Sequence, residues 1–172
     1  MNRIGIAGDH SGFTLKEALA AAIGALGYPV IDFGAERLLE EDDYPDYTVP
    51  LARSVASGAV ERGIVLSGSG VGACVAANKV SGVRAAICHD VYSAHQGVEH
   101  DDMNVLVLGA RVIGYEVAFD LARAFLAARF SREARHLRRL EKIEFLDLGR
   151  IRLATPREAA CQRMSEPVLI PA

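Results

Sequence analysis

Gly63-Ile64-Val65-Leu66-Ser67-Gly68-Ser69-Gly70-Val71-Gly72 is the stretch on which the fold turns. Four residues of apolar strand pattern run into a turn with glycine at every second position, and a short helix follows the turn. An apolar run too short for a buried helix, followed by a glycine turn and a helix, is one βα unit of a parallel sheet. Alternating glycines let successive backbone N–H groups turn into one concavity, and the helix N-terminus adds the positive end of its dipole.

That concavity suits a phosphate or the oxyanion of an enediolate. No Gly-Lys-Ser/Thr follows, so the turn is not a Walker A loop. Gly68, Gly70 and Ala73, with Asp90 at the end of the next strand, also fit a loose dinucleotide fingerprint, and a plain tight turn is the third reading. The anion hole ranks first: Ser81-Gly82 cut the following helix short, and a bare turn has no need of alternate glycines.

Outward from this unit the same alternation repeats. Strands are predicted at Arg3–Ala7, Val30–Phe33, Arg84–Cys88 and Asn104–Leu108, with helices at Phe13–Leu26, Tyr47–Ser57, Tyr92–Val98 and Tyr115–Ala128. Gly27 closes the first helix, Gly34–Asp46 reads as an acidic loop, and Ser131 is the expected N-cap of a last helix, Arg132–Leu146. The pattern predicts an α/β fold, a Rossmann-like three-layer sandwich around a central parallel sheet. Residues 1–148 form its domain, and 149–172, with Pro156, Pro167 and Pro171, form an extension that packs on a neighbouring subunit or stays loose.

Composition removes whole classes of function. Of the 172 residues, 51% are hydrophobic and 24% charged, so a packed core is easily supplied and global disorder is excluded. The net charge of −3 argues against a nucleic-acid partner. No apolar run approaches the roughly 20 residues of a membrane span. The N-terminus lacks a signal-peptide layout, and three cysteines without CxxC spacing read as free thiols, so a cytoplasmic protein is expected.

Ligands of open parallel sheets bind where strands end and loops begin. Asp9-His10 stand at such an end, as a proton-transferring pair or as a helix cap with a bystander. His100-Asp101-Asp102, with His95 nearby, suit acid–base work more economically than metal ligation. Arg135 and Arg139 share a helix face, giving two forks for a phosphate or a solvated stripe beside Glu133 and Glu141.

Taken in order, Gly8-Asp9-His10-Ser11-Gly12-Phe13, Asp43-Tyr44-Pro45, Gly63–Gly72, Ala76-Ala77-Asn78-Lys79, Gly82-Val83-Arg84-Ala85, Gly109-Ala110-Arg111 and Arg135-His136 form a pattern. Over its first 147 residues the chain resembles the ribose-5-phosphate isomerase B and galactose-6-phosphate isomerase family. The resemblance implies an aldose–ketose isomerase of phosphosugars, with ribose 5-phosphate and ribulose 5-phosphate as the leading pair, needing neither cofactor nor metal. It implies ring opening by His100 with Asp9 at the substrate oxygens, then proton transfer through a cis-enediolate held by the Ser69, Gly70, Val71 and Gly72 backbone. His10, Arg111, Arg135 and Arg139 would hold the phosphate, Tyr44 would line the pocket, and a homodimer or tetramer would complete the site across an interface.

Two positions depart from the family pattern. Ser67 stands where a cysteine base is usual and Ala73 where a glutamate is, which makes Ser67 the catalytic candidate and Cys74, at a helix N-terminus, the second. Asp101 stands where asparagine is common and joins the catalytic set. A tetrose or hexose phosphate, a non-catalytic phosphosugar-binding module, and a nucleotide-binding module are the alternatives.

Overall fold

The computed structural model describes residues 3–147, and the 149–172 extension lies outside them. Five strands, β1 (Ile4–Gly8), β2 (Val30–Asp32), β3 (Arg62–Ser67), β4 (Ala85–Ile87) and β5 (Val105–Gly109), form one sheet in the order β2-β1-β3-β5-β4. Every pair is parallel. The helices are α1 (Phe13–Ala25), α2 (Tyr44–Ala56), α3 (Val71–Ala77), α4 (Val91–Asp101), α5 (Tyr115–Ala127) and α6 (Ala134–Asp147).

Strand side chains alternate between faces, so two cores form. Ile4, Ile6, Ile64, Leu66, Leu106 and Leu108 pack with α1, α4 and α5 through Leu19, Ile23, Val98, Leu121 and Phe125. On the other face Ala7, Val65, Val105 and Val107 meet α2 and α3 through Leu51, Val55, Ala73 and Ala77. Helices on both faces make the three-layer sandwich expected from the sequence.

Several boundaries differ from the sequence pattern, and those of α2, α4 and α6 have a local cause. Helix α2 starts at Tyr44, three residues early, because Pro45 falls in its first turn, where a missing N–H is harmless and φ is already helical. Helix α4 continues through His100 and Asp101 and stops at Asp102, whose φ of 48° is left-handed. Its start is fixed by Asp90, which accepts the Ser93 amide at 2.7 Å; this cap is the work of the residue that the dinucleotide reading placed on a ribose. Helix α6 begins at Ala134 because Arg132 adopts φ 55°, although Ser131 still accepts the Glu133 amide at 3.3 Å.

Lys16 is the largest fully buried side chain. Its ammonium meets Asp32, Glu17 at 2.7 Å and the Ala35 carbonyl at 3.2 Å, pinning the start of the β2–α2 loop. Burial disfavours this charge, yet the two carboxylates outweigh it and hold the pKa above the ordinary lysine value. Because both carboxylates are partly exposed, the Lys16→Met variant is expected to lose about 2 kcal/mol in urea unfolding, less than a fully buried pair would cost. A raised folded pKa stabilises below the unfolded value and fades as pH climbs past the folded one. The difference between the two proteins therefore persists at neutral pH and closes above about pH 10.5.

Candidate active site

The strand order reverses direction between β1 and β3, whose C-terminal ends lie side by side through the Gly8–Leu66 pairing. Such a switch point opens a crevice. Asp9 and Ser67 sit on its two lips. The Ser67 hydroxyl donates to Asp9 Oδ2 at 2.6 Å, and Asp9 Oδ1 accepts the Gly12 amide at 3.0 Å. Asp9 thus serves at once in the turn into α1 and as the proton acceptor of Ser67. Both residues are under a tenth exposed, so this bond is shielded from competing water.

Beyond Ser67 the glycine turn wraps the crevice. Gly70 has φ 81°, which lets α3 begin hard against β5: a Cβ there would lie 3.1 Å from Val107. Gly72 leaves room for the Tyr44 ring, whose Cζ would stand 2.6 Å from a Cβ. The Val71 amide donates to Ser69 Oγ at 3.3 Å, and the first-turn amides of a helix have no acceptor in the helix itself. Arg111 completes the rim; its amide donates to the Gly68 carbonyl at 3.0 Å and its side chain passes beside Gly68.

His10 faces Arg111 across this rim. Its backbone amide and ring Nδ1–H both donate to Asp42 Oδ1, at 3.0 and 2.6 Å. The Asp42 bond raises the imidazole pKa above its usual value, aided by the charges of Asp9 and Asp42 and opposed by burial and Arg111. Burial alone would raise the Asp42 carboxyl, but the two His10 bonds prevail and hold it below the ordinary range. The strand-end cluster therefore unites Asp9, His10, Tyr44, Ser67, Ser69, Gly70, Val71, Gly72 and Arg111. Asp42 is an addition that the sequence did not single out.

His100, Asp101, Arg135 and Arg139 stand elsewhere. In a parallel sheet each crossover helix returns toward the strand N-termini, so the end of α4 lies at the opposite edge. Asp102 confirms this, since its carbonyl accepts from Arg84 at the foot of β4. The four-residue climb from Val105 to Gly109 alone spans about 13 Å. There His100 Nδ1 accepts from the Gln96 amide at 2.6 Å, which leaves the neutral ring's proton on Nε2. Its ring packs against that of His136, with centroids 4.1 Å apart and the planes tilted by 31°.

His136 Nε2 accepts from Arg135 Nε at 3.1 Å, and its Nδ1–H donates to Ser131 at 2.7 Å. Burial first, then the neighbouring His100, lowers the His136 pKa, so the ring stays neutral and can keep accepting. Arg135 also pairs with Glu133 at 2.9 Å, as the solvated-stripe reading expected. Asp101 lines a cavity of about 370 Å³ with Arg84, Met103 and Ile143.

Cys74 fails as a base. Burial raises its thiol pKa, against the lowering expected from the helix N-terminus, and Sγ donates to the Ala85 carbonyl at 3.5 Å. Cys88 is likewise pushed up, to about 11, by burial. With Asp90 spent on a cap, the dinucleotide reading also loses the one acid of its fingerprint.

Similarity to known proteins agrees with this geometry. A family model described as Ribose/Galactose Isomerase matches residues 4–143. Ribose-5-phosphate isomerase B of Escherichia coli is 41% identical over 150 residues, which cover 87% of this chain and 99% of that protein. D-erythrulose-4-phosphate isomerase of Pectobacterium atrosepticum is 40% identical over 130 residues, covering 76% and 86%. The solved structure of Clostridium thermocellum ribose-5-phosphate isomerase B superposes with a TM-score of 0.82 at 44% identity, over 86% of this chain and 98% of that one. Family model, sequence relatives and solved structure converge, and the chain belongs to the ribose/galactose isomerase family of sugar-phosphate isomerases.

Proposed function

We propose that the protein interconverts ribose 5-phosphate and ribulose 5-phosphate by proton transfer through a cis-enediolate, in a site built by two copies of the chain. The observation that carries the chemistry is the 2.6 Å bond from Ser67 to Asp9 at the switch point. A serine hydroxyl is a weak base by itself and becomes useful when a carboxylate takes its proton. Ser67 Oγ removes the C2 proton of the open-chain aldose while its own proton passes to Asp9 Oδ2.

The charge that appears on O1 faces the first-turn amides of α3. The O2 proton then moves to O1, and the relay runs backward to place a proton on C1, giving the ketose with no net change in the protein. His10 and Arg111 hold the phosphate from one copy, and Arg135 and Arg139 from the second. His100 Nε2 of that second copy passes its proton to the ring oxygen and takes up the proton of the anomeric hydroxyl in the same step, so the imidazole ends as it began.

Two observations support the second copy. The His100 cluster lies at the far edge of its own sheet. Apolar side chains on α3, α4 and their neighbours are left in solvent, including Val71, Val75, Val91, Val112 and Tyr92, the last 74% exposed. An exposed apolar patch of this kind is a usual mark of an interface. Cys74 and Cys88 are free thiols, which supports a reducing, cytoplasmic setting.

The similarity to a tetrose-phosphate isomerase, together with Asp101, favours a tetrose phosphate as the second reading. Proton NMR in heavy water separates the two. Deuterium is expected at C1 of ribulose 5-phosphate formed from ribose 5-phosphate, with slower or no exchange for tetrose and hexose phosphates. Ser67→Ala and Asp9→Asn are expected to lower the exchange rate at least about 100-fold, and Cys74→Ala to leave it within about twofold. No exchange with any phosphosugar, from folded protein, refutes the isomerase; full activity in Ser67→Ala refutes the relay.

A further inference from the structure

The loop between β2 and α2 carries four acids in a row, and the fold treats one of them differently. Glu40, Glu41 and Asp43 are exposed, whereas the Asp42 side chain is only 5% exposed. Its Oδ1 takes the backbone N–H and the ring Nδ1–H of His10, 32 residues away in sequence, and its Oδ2 is buried beside Tyr47. Burying a carboxylate is costly, and the contact with His10 sets a gain against that cost.

The gain lies at the other end of the imidazole. With Nδ1–H held by Asp42, a protonated ring presents Nε2–H as its only free donor. Arg111 faces the same ring, and among the described residues no carboxylate forms a salt bridge with it. Two cations therefore meet at the rim, His10 with its bonded carboxylate on the Nδ1 side of the ring and Arg111 with no ion pair among the described residues, an arrangement that suits a phosphate. The groups facing His10 are Asp42 from the loop, Asp9 from its own segment and Arg111 from beyond β5, while Tyr47 of α2 lies beside Asp42.

We propose that Asp42 is a positioning residue for phosphate binding, which grips His10 through Nδ1 so that Nε2–H and Arg111 act on one phosphate together. The inference rests on the phosphosugar reading above and deepens it. Asp42 touches no substrate; it acts through His10, and it ties the acidic loop to the rim in the same contact.

The sign of the pH effect follows from the geometry. The cation on His10 is present below its folded pKa and lost above it, so phosphate affinity has a basic limb at that pKa. Removing the Asp42 charge moves the limb to lower pH. The test measures inhibition of the full-length enzyme by inorganic phosphate between pH 6 and 9, for wild type, Asp42→Asn, Asp42→Glu and His10→Gln.

Asp42→Asn is expected to weaken phosphate about tenfold at pH 7.5 and to raise the phosphosugar KM by a similar factor, with kcat within about threefold. Asp42→Glu should recover part of the loss, and in a His10→Gln background Asp42→Asn should add nothing further. Unchanged phosphate inhibition and an unmoved basic limb in folded Asp42→Asn would overturn the proposal and reduce Asp42 to a loop brace. An additive loss in the His10→Gln background would do the same. A wild type inert toward every phosphosugar would instead bring down the isomerase reading, an outcome separate from either.

Discussion

A parallel sheet sends the C-terminal end of every strand to one edge and the C-terminal end of every crossover helix to the other. That constraint organises this molecule. It brings Asp9, Ser67 and Arg111 together from three strand ends, because β1, β3 and β5 are neighbours in the sheet. It equally keeps His100 and the α6 arginines away from them, at the feet of β4 and β5. On the mechanism proposed above, a single chain carries two halves of one chemistry on opposite rims, and that proposal requires a second copy.

Within the strand-end half, a few contacts have double duties. Asp9 holds the turn into α1 through the Gly12 amide and accepts the Ser67 proton with its other oxygen. Gly72 keeps α3 open at its first turn and makes space for Tyr44. The β2–α2 loop is fastened at its base by Lys16 and at its far end by the Asp42–His10 pair. Both fastenings include an ion pair between residues well apart in sequence, Lys16–Asp32 and His10–Asp42.

Much of this was legible in the chain. The apolar alternation of β1, β3 and β5 and the glycine spacing after Ser67 fixed both the sheet and the crevice, because both depend on local periodicity. Less local features were harder to read. Asp42 looks the same as Glu40, Glu41 and Asp43 until the path of the loop buries one of the four. The thiol of Cys74 was misjudged because a helix dipole acts on whatever points along it, and this side chain turns to β4 instead. His100 lay beyond the helix read as Tyr92–Val98, whereas α4 runs on to Asp101 and Asp102 takes the left-handed cap. Asp90 matched a fingerprint by position, while its oxygens were committed to Ser93.

The division of the site between two rims is tested most directly by subunit complementation. Asp9→Asn removes the strand-end half and His100→Asn the helix-end half, so each variant alone is inactive. Mixed in equal amounts under conditions of subunit exchange, the two should regain about one quarter of wild-type activity, the share of intact sites in random symmetric dimers. No recovery after demonstrated exchange, or full activity in an isolated monomer, would contradict the account.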